Sequence, residues 1–486
     1  MEINKILAEE FKLRQEQVVN TVALIDDGKT IPFIARYRKE LTGSLDDQIL
    51  RELSDRLTYL RNLEIRKSEV SSSIAEQGKL TEEISSALDK AETLVEVEDI
   101  YRPFKPKRKT RASIAREKGL EVLADLIGRQ DDKLDLHNEA QKFINVENGL
   151  ETEEEVIQGA SDIIAENVSD DAELRKSIRK LYEKAAKIES RASDENAETV
   201  YQNYYEFCEP VSKIADHRIL ALDRGEKEGA LKVSVSIDEE FCFSIAERKY
   251  VINNTDSGNI VKAAVQDSCK RLIMPSVERE IRAELTARAA EGAIKVFSSN
   301  LRQLLLQPPI KNSVTLGLDP AYRTGCKIAV VDSIGKVLDT TVIYPTPPQK
   351  KIEEAKTKLK KLITKYGVTT IAIGNGTASR ESEEFVAELI KEIPQNVSYM
   401  VVSEAGASVY SASKLAAEEF PEYDVSLRSA VSIARRLQDP LAELVKIDPK
   451  AIGVGQYQHD MPKARMNEAL SGGVEDCVNS VGVDLN

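Results

Sequence analysis

Apolar residues recur in helical phase along the first hundred positions. Leu50, Leu53, Leu57 and Leu60 alternate steps of three and four, which places them on one face of a helix. Ser44 followed by Asp47 predicts a capped start for it. Residues 4–25 are amphipathic in the same way, and Asp26-Asp27-Gly28 predicts their stop. From 119 to 200 the helical pattern resumes on an acidic background, with the acids of 151–155 opening one helix. Residues 217–237 predict a hairpin around Gly225-Glu226-Lys227-Glu228-Gly229. Beyond it, Pro275 suits the first turn of a long helix. Its stripe is Val277, Ile281, Leu285, Ala289 and Ala293, and Pro308-Pro309 must end it after Gln307. A helix of roughly 30 residues spans about 45 Å, long enough to link domains.

After residue 312 the period changes. Three apolar runs, 314–318, 326–331 and 337–344, are separated by Arg323-Thr324-Gly325 and Ser333-Ile334-Gly335-Lys336, which suit tight reversals. They predict an antiparallel meander. Helices over 349–366, 378–392 and 405–419 then alternate with strands over 370–374 and 397–403. Such units force parallel pairing through right-handed crossovers, so the first, fourth and fifth strands can lie side by side. Their carboxyl ends gather at one edge, where open α/β sheets place their sites.

That edge collects Asp319, Asn375 and Glu404, and a later helix offers Asp439 ahead of Pro440. Carboxylates converging on two cations are what two-metal phosphodiester hydrolysis requires. Asn375 is neutral where a central ligand is expected. The alternative makes Asp319 and Asn375 turn and capping residues, with Asp439 closing a helix. Gly374-Asn375-Gly376 and Gly453-Val454-Gly455 read as turns, too short for phosphate loops. His137, His217 and His459 give no Ser-His-Asp or Cys-His pairing.

With 486 residues the chain should divide into three or four domains, and 41% hydrophobic with 31% charged residues is a globular composition. The expected divisions are 1–200, 201–310, 311–445 and 446–486. A net charge of -14 excludes a surface coated everywhere for nucleic acid, so any such binding is local. The stretch 101–118 is the best candidate. There Arg102, Lys105, Lys107, Arg108, Lys109, Arg111, Arg116 and Lys118 face the single acid Glu117. It forms either a phosphate-binding surface or a basic seam docked on acidic helices. Arg36, Arg38 and Lys39, interleaved with Phe33 and Tyr37, pack against the long helix or touch nucleic acid. Cys208, Cys242, Cys269, Cys326 and Cys477 are scattered and read as reduced, incidental thiols. Neither a secretory signal nor a bilayer-length apolar run is present, so a cytoplasmic location off the membrane is expected.

Several stretches together resemble the bacterial Tex family of transcription accessory proteins. They are 30–43 (TIPFIARYRKELTG), 101–119 (YRPFKPKRKTRASIAREKG), 217–229 (HRILALDRGEKEG), 317–326 (GLDPAYRTGC), 373–380 (IGNGTASR), 432–448 and 453–460 (GVGQYQHD). The resemblance implies an elongated, multidomain, mainly α protein. It would have a helix-turn-helix in the N-terminal region, a long central helix and an α/β RNase H-like (YqgF) domain. It makes Asp319 the first acid of that class and sets Asn375 where resolvases carry Glu. Residues 446–486 would be a linker and the start of a truncated helix-hairpin-helix region, with an OB-fold RNA-binding domain lying beyond.

The expected function is a nucleic-acid-binding scaffold, indifferent to sequence on RNA or DNA, that acts with the transcription machinery. Its RNase H-like domain would be non-catalytic and need no cofactor. The alternative is a metal-dependent nuclease using Asp319, Glu404 and Asp439, with Mg²⁺ or Mn²⁺ on Asp319 and Glu404. A protein-interaction module is a third reading.

Overall fold

The computed structural model describes residues 2–106 and 109–481, which form two compact units, 1–290 and 291–486. The first unit is organised on the helix Asp47–Glu76, which buries Leu50, Leu53, Leu57, Leu60 and Leu63 along the predicted face. Its cap is Asp46, whose carboxylate accepts the Ile49 N–H at 2.8 Å. Ser44 instead adopts a left-handed turn with φ 62°, so the capping arrangement expected at Ser44 is not formed. The segment 4–25 is interrupted at Lys12 (φ 55°) into the helices Ile3–Phe11 and Gln15–Asp26, which pack Leu7, Val18 and Val22 on Leu53, Leu57 and Leu60. The short helix Ile31–Tyr37 seats Ile34 among Leu24, Leu45 and Leu50. It therefore packs on Asp47–Glu76, not on the 274–305 helix.

Residues 216–227 correct the sequence reading. They form the helix Asp216–Lys227, not a hairpin strand, with Ile219, Leu220, Leu222 and Gly225 buried. The expected turn glycine Gly225 is a packing position, since a Cβ there would lie 2.6 Å from Leu231 Cδ1. Only the following segment is a strand. It joins an antiparallel three-stranded sheet of order β2-β1-β3, from β1 (Lys187–Ala192), β2 (Glu206–Pro210) and β3 (Leu231–Ser236). The long helix runs Met274–Leu305, two residues short of Gln307, and buries Val277, Ile281, Leu285 and Ala289. Arg175 and Arg179 on the helix Ala172–Ala185 join Asp99 and Glu280 in a buried network at 2.6–2.8 Å.

In the second unit the predicted meander is present as β4 (Thr315–Asp319), β5 (Cys326–Val331) and β6 (Val337–Ile343). With β7 (Thr370–Gly374) and β8 (Ser398–Val402) it makes a five-stranded sheet of order β6-β5-β4-β7-β8. Pairing is antiparallel across β4–β5 and β5–β6, and parallel across β4–β7 and β7–β8. Alternation along β4 sends Leu316 and Leu318 to one face, where Leu359 and Ile363 of the helix Ile352–Tyr366 and Phe385, Val386 and Leu389 of the helix Ser379–Lys391 cover them. The other face is covered by the helix Val425–Gln438 through Ala430, Val431, Ile433 and Ala434. That helix comes so close that a Cβ at Gly317 would lie 2.2 Å from the Ala430 carbonyl oxygen. The expected 405–419 helix is instead two short ones, Ala407–Ser411 and Lys414–Glu419, because Ser413 caps the second by accepting the Ala416 N–H.

Candidate functional site

The sheet order brings the carboxyl ends of β4, β7 and β8 to one edge, as the alternating pattern predicts. Asp319 ends β4 on the face that Val425–Gln438 covers. Burial pushes its carboxyl up to about 6; the Ser429 hydroxyl, hydrogen-bonded to it, works against this, Glu404 adds to it, and Lys327 opposes it. Asp319 and Lys327 are directly opposite in the β4–β5 register, and the Lys327 ammonium donates to the Thr324 and Gly325 carbonyls at 2.7 and 2.9 Å. Lysine is thus held near the aspartate while its hydrogen bonds go elsewhere.

Glu404 follows β8, and its carboxylate lies in the bend after β7. A Cβ at Gly376 would fall 1.7 Å from Glu404 Oε1, and one at Gly374 would fall 2.6 Å from Oε2. The two glycines of the expected turn therefore make room for this carboxylate. Asn375 ties the two ends together: its Oδ1 accepts the Glu404 N–H at 3.0 Å, and its own N–H donates to the Val402 carbonyl at 3.1 Å.

Arg436 was not predicted. It is 3% exposed, and its guanidinium donates to the carbonyls of Ser403 and Ala405 at 2.9 and 2.7 Å. Burial pulls its pKa down to about 10, against the attraction of Glu443 and Glu404. The two carbonyls hold this group behind the Glu404 bend, where it is still a cation at neutral pH. Nε and Nη2 of Arg436, Oε1 of Glu443 and the Ser432 hydroxyl are buried without a hydrogen-bond partner. Ser429, Ser432 and Arg436 share a helical face at steps of three and four, a buried polar stripe that the sequence does display.

Asp439 takes a different role. It is exposed and caps the helix Pro440–Leu444, accepting the Ala442 N–H at 3.1 Å, with Pro440 at the first helical position. Among the described residues no three His, Cys, Asp or Glu side chains are grouped to hold a metal ion. The edge therefore offers Asp319 and Glu404 as a pair, with Arg436 and Lys327 as its nearby cations.

The basic stretch divides into tied and open residues. Arg102 pairs with Asp170 at 3.4 Å, Lys105 pairs with Glu98, and Arg116 pairs with Glu166 and donates to Asn167. Lys118 donates to the Gly149 carbonyl at 2.9 Å. Lys109 and Arg111 are exposed, Arg111 opening the helix Arg111–Glu117. Arg111 also lines a cavity of about 550 Å³ with Lys118, Glu154 and Asp162. Lys107 and Arg108 lie outside the described residues.

Three family models cover most of this architecture: the Tex-like protein N-terminal domain over 1–75, the Tex central region over 131–297 and the Tex protein YqgF-like domain over 313–438. The chain is 51% identical to protein YdcI of Bacillus subtilis across 99% of its own length and 67% of that relative. The chain belongs to the Tex family. It is also 45% identical to the transcriptional accessory protein Tex of Neisseria gonorrhoeae over 100% of the chain and 64% of that protein. The S1 RNA-binding domain-containing protein 1 of Homo sapiens is 38% identical over 99% of the chain, which covers 50% of it. The chain thus spans between half and two thirds of the length of these relatives. Asp319, Asn375, Glu404, Ser429 and Arg436 fall inside the YqgF-like match, and Asp439 falls just past its end. The basic stretch lies between the N-terminal and central Tex matches.

Proposed function

We propose that this protein is a nucleic-acid-binding accessory factor of transcription, working in the cytoplasm with the transcription machinery, whose YqgF-like domain is a non-hydrolytic scaffold. The observation that carries the non-hydrolytic part is the use made of the edge residues. Asn375 is engaged by the Glu404 backbone and Asp439 by a helix cap, so among the described residues no third carboxylate joins Asp319 and Glu404. Two-metal hydrolysis needs more negative charge than that pair supplies. Nucleic-acid binding is supported by the exposed Lys109 and Arg111 in the basic stretch and by the names of the relatives, a transcriptional accessory protein and an S1 RNA-binding domain-containing protein. Phosphate contacts of this kind are indifferent to sequence and fall with salt.

The experiment is calorimetric titration of Mn²⁺ into the chain and into Asp319→Asn, beside a cleavage assay on single- and double-stranded substrates. No cleavage in millimolar Mn²⁺ is expected. A second reading, a metal-dependent nuclease using Asp319, Glu404 and Asp439, draws on the Asp319 carboxyl, raised first by burial and further by Glu404, since a divalent cation would offset both effects. Mn²⁺-dependent cleavage lost in Asp319→Asn would establish it and end the scaffold reading.

A further inference from the structure

The helix Ile31–Tyr37 carries a cluster with no part in the sheet-edge chemistry. Its inner face is occupied by packing, with Pro32 and Ile34 buried. Phe33 and Tyr37 are four residues apart and so lie one above the other on the helix surface. Their ring centroids are 5.3 Å apart with planes at 42°, and Tyr37 is 50% exposed. Cations border both rings. The Arg38 guanidinium is 5.2 Å and the Lys29 ammonium 5.9 Å from the Phe33 centroid, and Arg36 is 5.7 Å from that of Tyr37.

Charge pairing separates this cluster from its surroundings. Arg56 and Arg61 in the same unit are clamped by Glu10 and Asp26 at 2.6 and 2.7 Å. Among the described residues no carboxylate pairs with Lys29, Arg36, Arg38 or Lys39, and the Arg38 guanidinium donates only to the Tyr37 carbonyl, at 2.8 Å. In a chain of net charge -14, these cations beside two aromatic rings form a local positive surface with no ion-pair partner among the described residues.

We propose that this surface binds single-stranded nucleic acid, with a base stacked on the Phe33–Tyr37 pair and the flanking phosphates on Lys29, Arg36, Arg38 and Lys39. A duplex hides its base faces, whereas an unpaired base offers one to any aromatic ring, whatever its sequence. The guanidinium groups beside the rings are compatible with this. A planar guanidinium stacks on a base as it does on a ring, or turns to a phosphate. The site is separate from the basic stretch 101–118 and from the Asp319–Glu404 edge.

The test measures fluorescence anisotropy of oligo(dT) and oligo(rU) of about 15 nucleotides, and of a duplex of the same length, with the full chain at low salt. Tyr37→Leu is expected to weaken single-strand binding by about tenfold, the loss of one stacked base. Arg36→Gln with Arg38→Gln should reduce the slope of log affinity against log salt by about 1.4. The chain has no Trp, so Tyr37→Trp places a single reporter in the patch, and its emission should be quenched over the same concentrations that raise the anisotropy. These changes with either oligomer support the proposal, and a difference between dT and rU tells whether the 2′-hydroxyl is read.

Poly-glutamate displacing the oligomers from the parent chain with Tyr37→Leu silent would mean a generic anion patch and overturn the proposal. A duplex bound as tightly as the single strands would also overturn it. Should Lys109→Ala with Arg111→Ala abolish binding while both Tyr37 variants behave as the parent, this inference fails and the basic stretch remains the binding surface. No binding by the parent chain overturns both.

Discussion

Asn375 accepts the Glu404 backbone N–H at 3.0 Å, which locks the bend after β7 to the turn that follows β8. The side chain at the centre of the sheet edge is therefore a clamp. Asn375→Ala should cost about 1 kcal/mol in urea unfolding, the net worth of one hydrogen bond, and toward the low end because the site is exposed. Asn375→Asp keeps an acceptor in place and adds a carboxylate beside Glu404. Mn²⁺ affinity is expected to rise in that variant, since ligand charge sets how tightly a hard cation is held. A calorimetric isotherm identical to the parent's would mean that position 375 does not reach the cation.

The Asp319 carboxyl, pushed up to about 6 by burial and then by Glu404, makes stability depend on pH. An unfolded aspartate titrates near about 3.9. Between these values the folded chain holds the proton and the unfolded chain does not, so this group's contribution to stability declines as pH rises through about 4 to 6. Above that window the penalty is complete, at most about 3 kcal/mol. Asp319→Asn should thus be more stable than the parent above pH 6, with the difference shrinking as pH falls through about 6 to 4. Urea midpoints taken at half-unit steps of pH check it, and a pH-independent difference would sink it.

The sheet was legible in the sequence because its signals are local. Short apolar runs, glycines at the reversals and strand–helix alternation determine the meander and the parallel order without reference to anything distant. The Ile219-Leu220-Ala221-Leu222 run was not legible in the same way, since a short apolar run fits a strand or a buried helix equally. Here β3 pairs with β1, and the run packs as a helix whose Gly225 lies against Leu231. At the site, strand ends predicted Asp319, Asn375 and Glu404. Arg436 and Ser429 come from a helix that crosses the sheet, and only the tertiary approach at Gly317 brings them there. Asp439 follows the last residue of the helix that carries Arg436, where the local demand for a cap decides its role.

Two glycines of the YqgF-like domain should respond oppositely to the same added methyl group. At Gly317 a Cβ meets the Ala430 carbonyl oxygen at 2.2 Å, and backbone on a packed helix cannot move aside. Gly317→Ala is expected to cost about 2–3 kcal/mol in urea unfolding. At Gly376 the atoms nearest a Cβ are those at the end of the Glu404 side chain, which can swing away. Gly376→Ala should leave the unfolding midpoint nearly unchanged while it moves Glu404 off the edge. Any Mn²⁺ affinity found for the parent chain should then fall in this variant. Equal destabilisation by the two variants would contradict the placement of Glu404.

Asp99 accepts from Arg175 at 2.6 Å and from Arg179 at 2.7 Å, and all three side chains are buried. Arg175 has no exposure at all, and its Nη1 is already without a partner. Asp99→Ala removes one of the two carboxylates facing this guanidinium pair and leaves Glu280 alone with both. Stripping the partner from a buried charge typically costs about 3–5 kcal/mol. The half-exposed Arg56–Glu10 pair is the control, because solvent screens it and Glu10→Ala should cost no more than about 1 kcal/mol. Thermal and urea unfolding followed by circular dichroism compare the two. Replacing Asp99, Arg175, Arg179 and Glu280 together with apolar side chains of similar volume should recover much of the loss, because desolvating the ions offsets their mutual attraction. If the single and the fourfold variants were equally destabilised, the network would be contributing packing rather than charge.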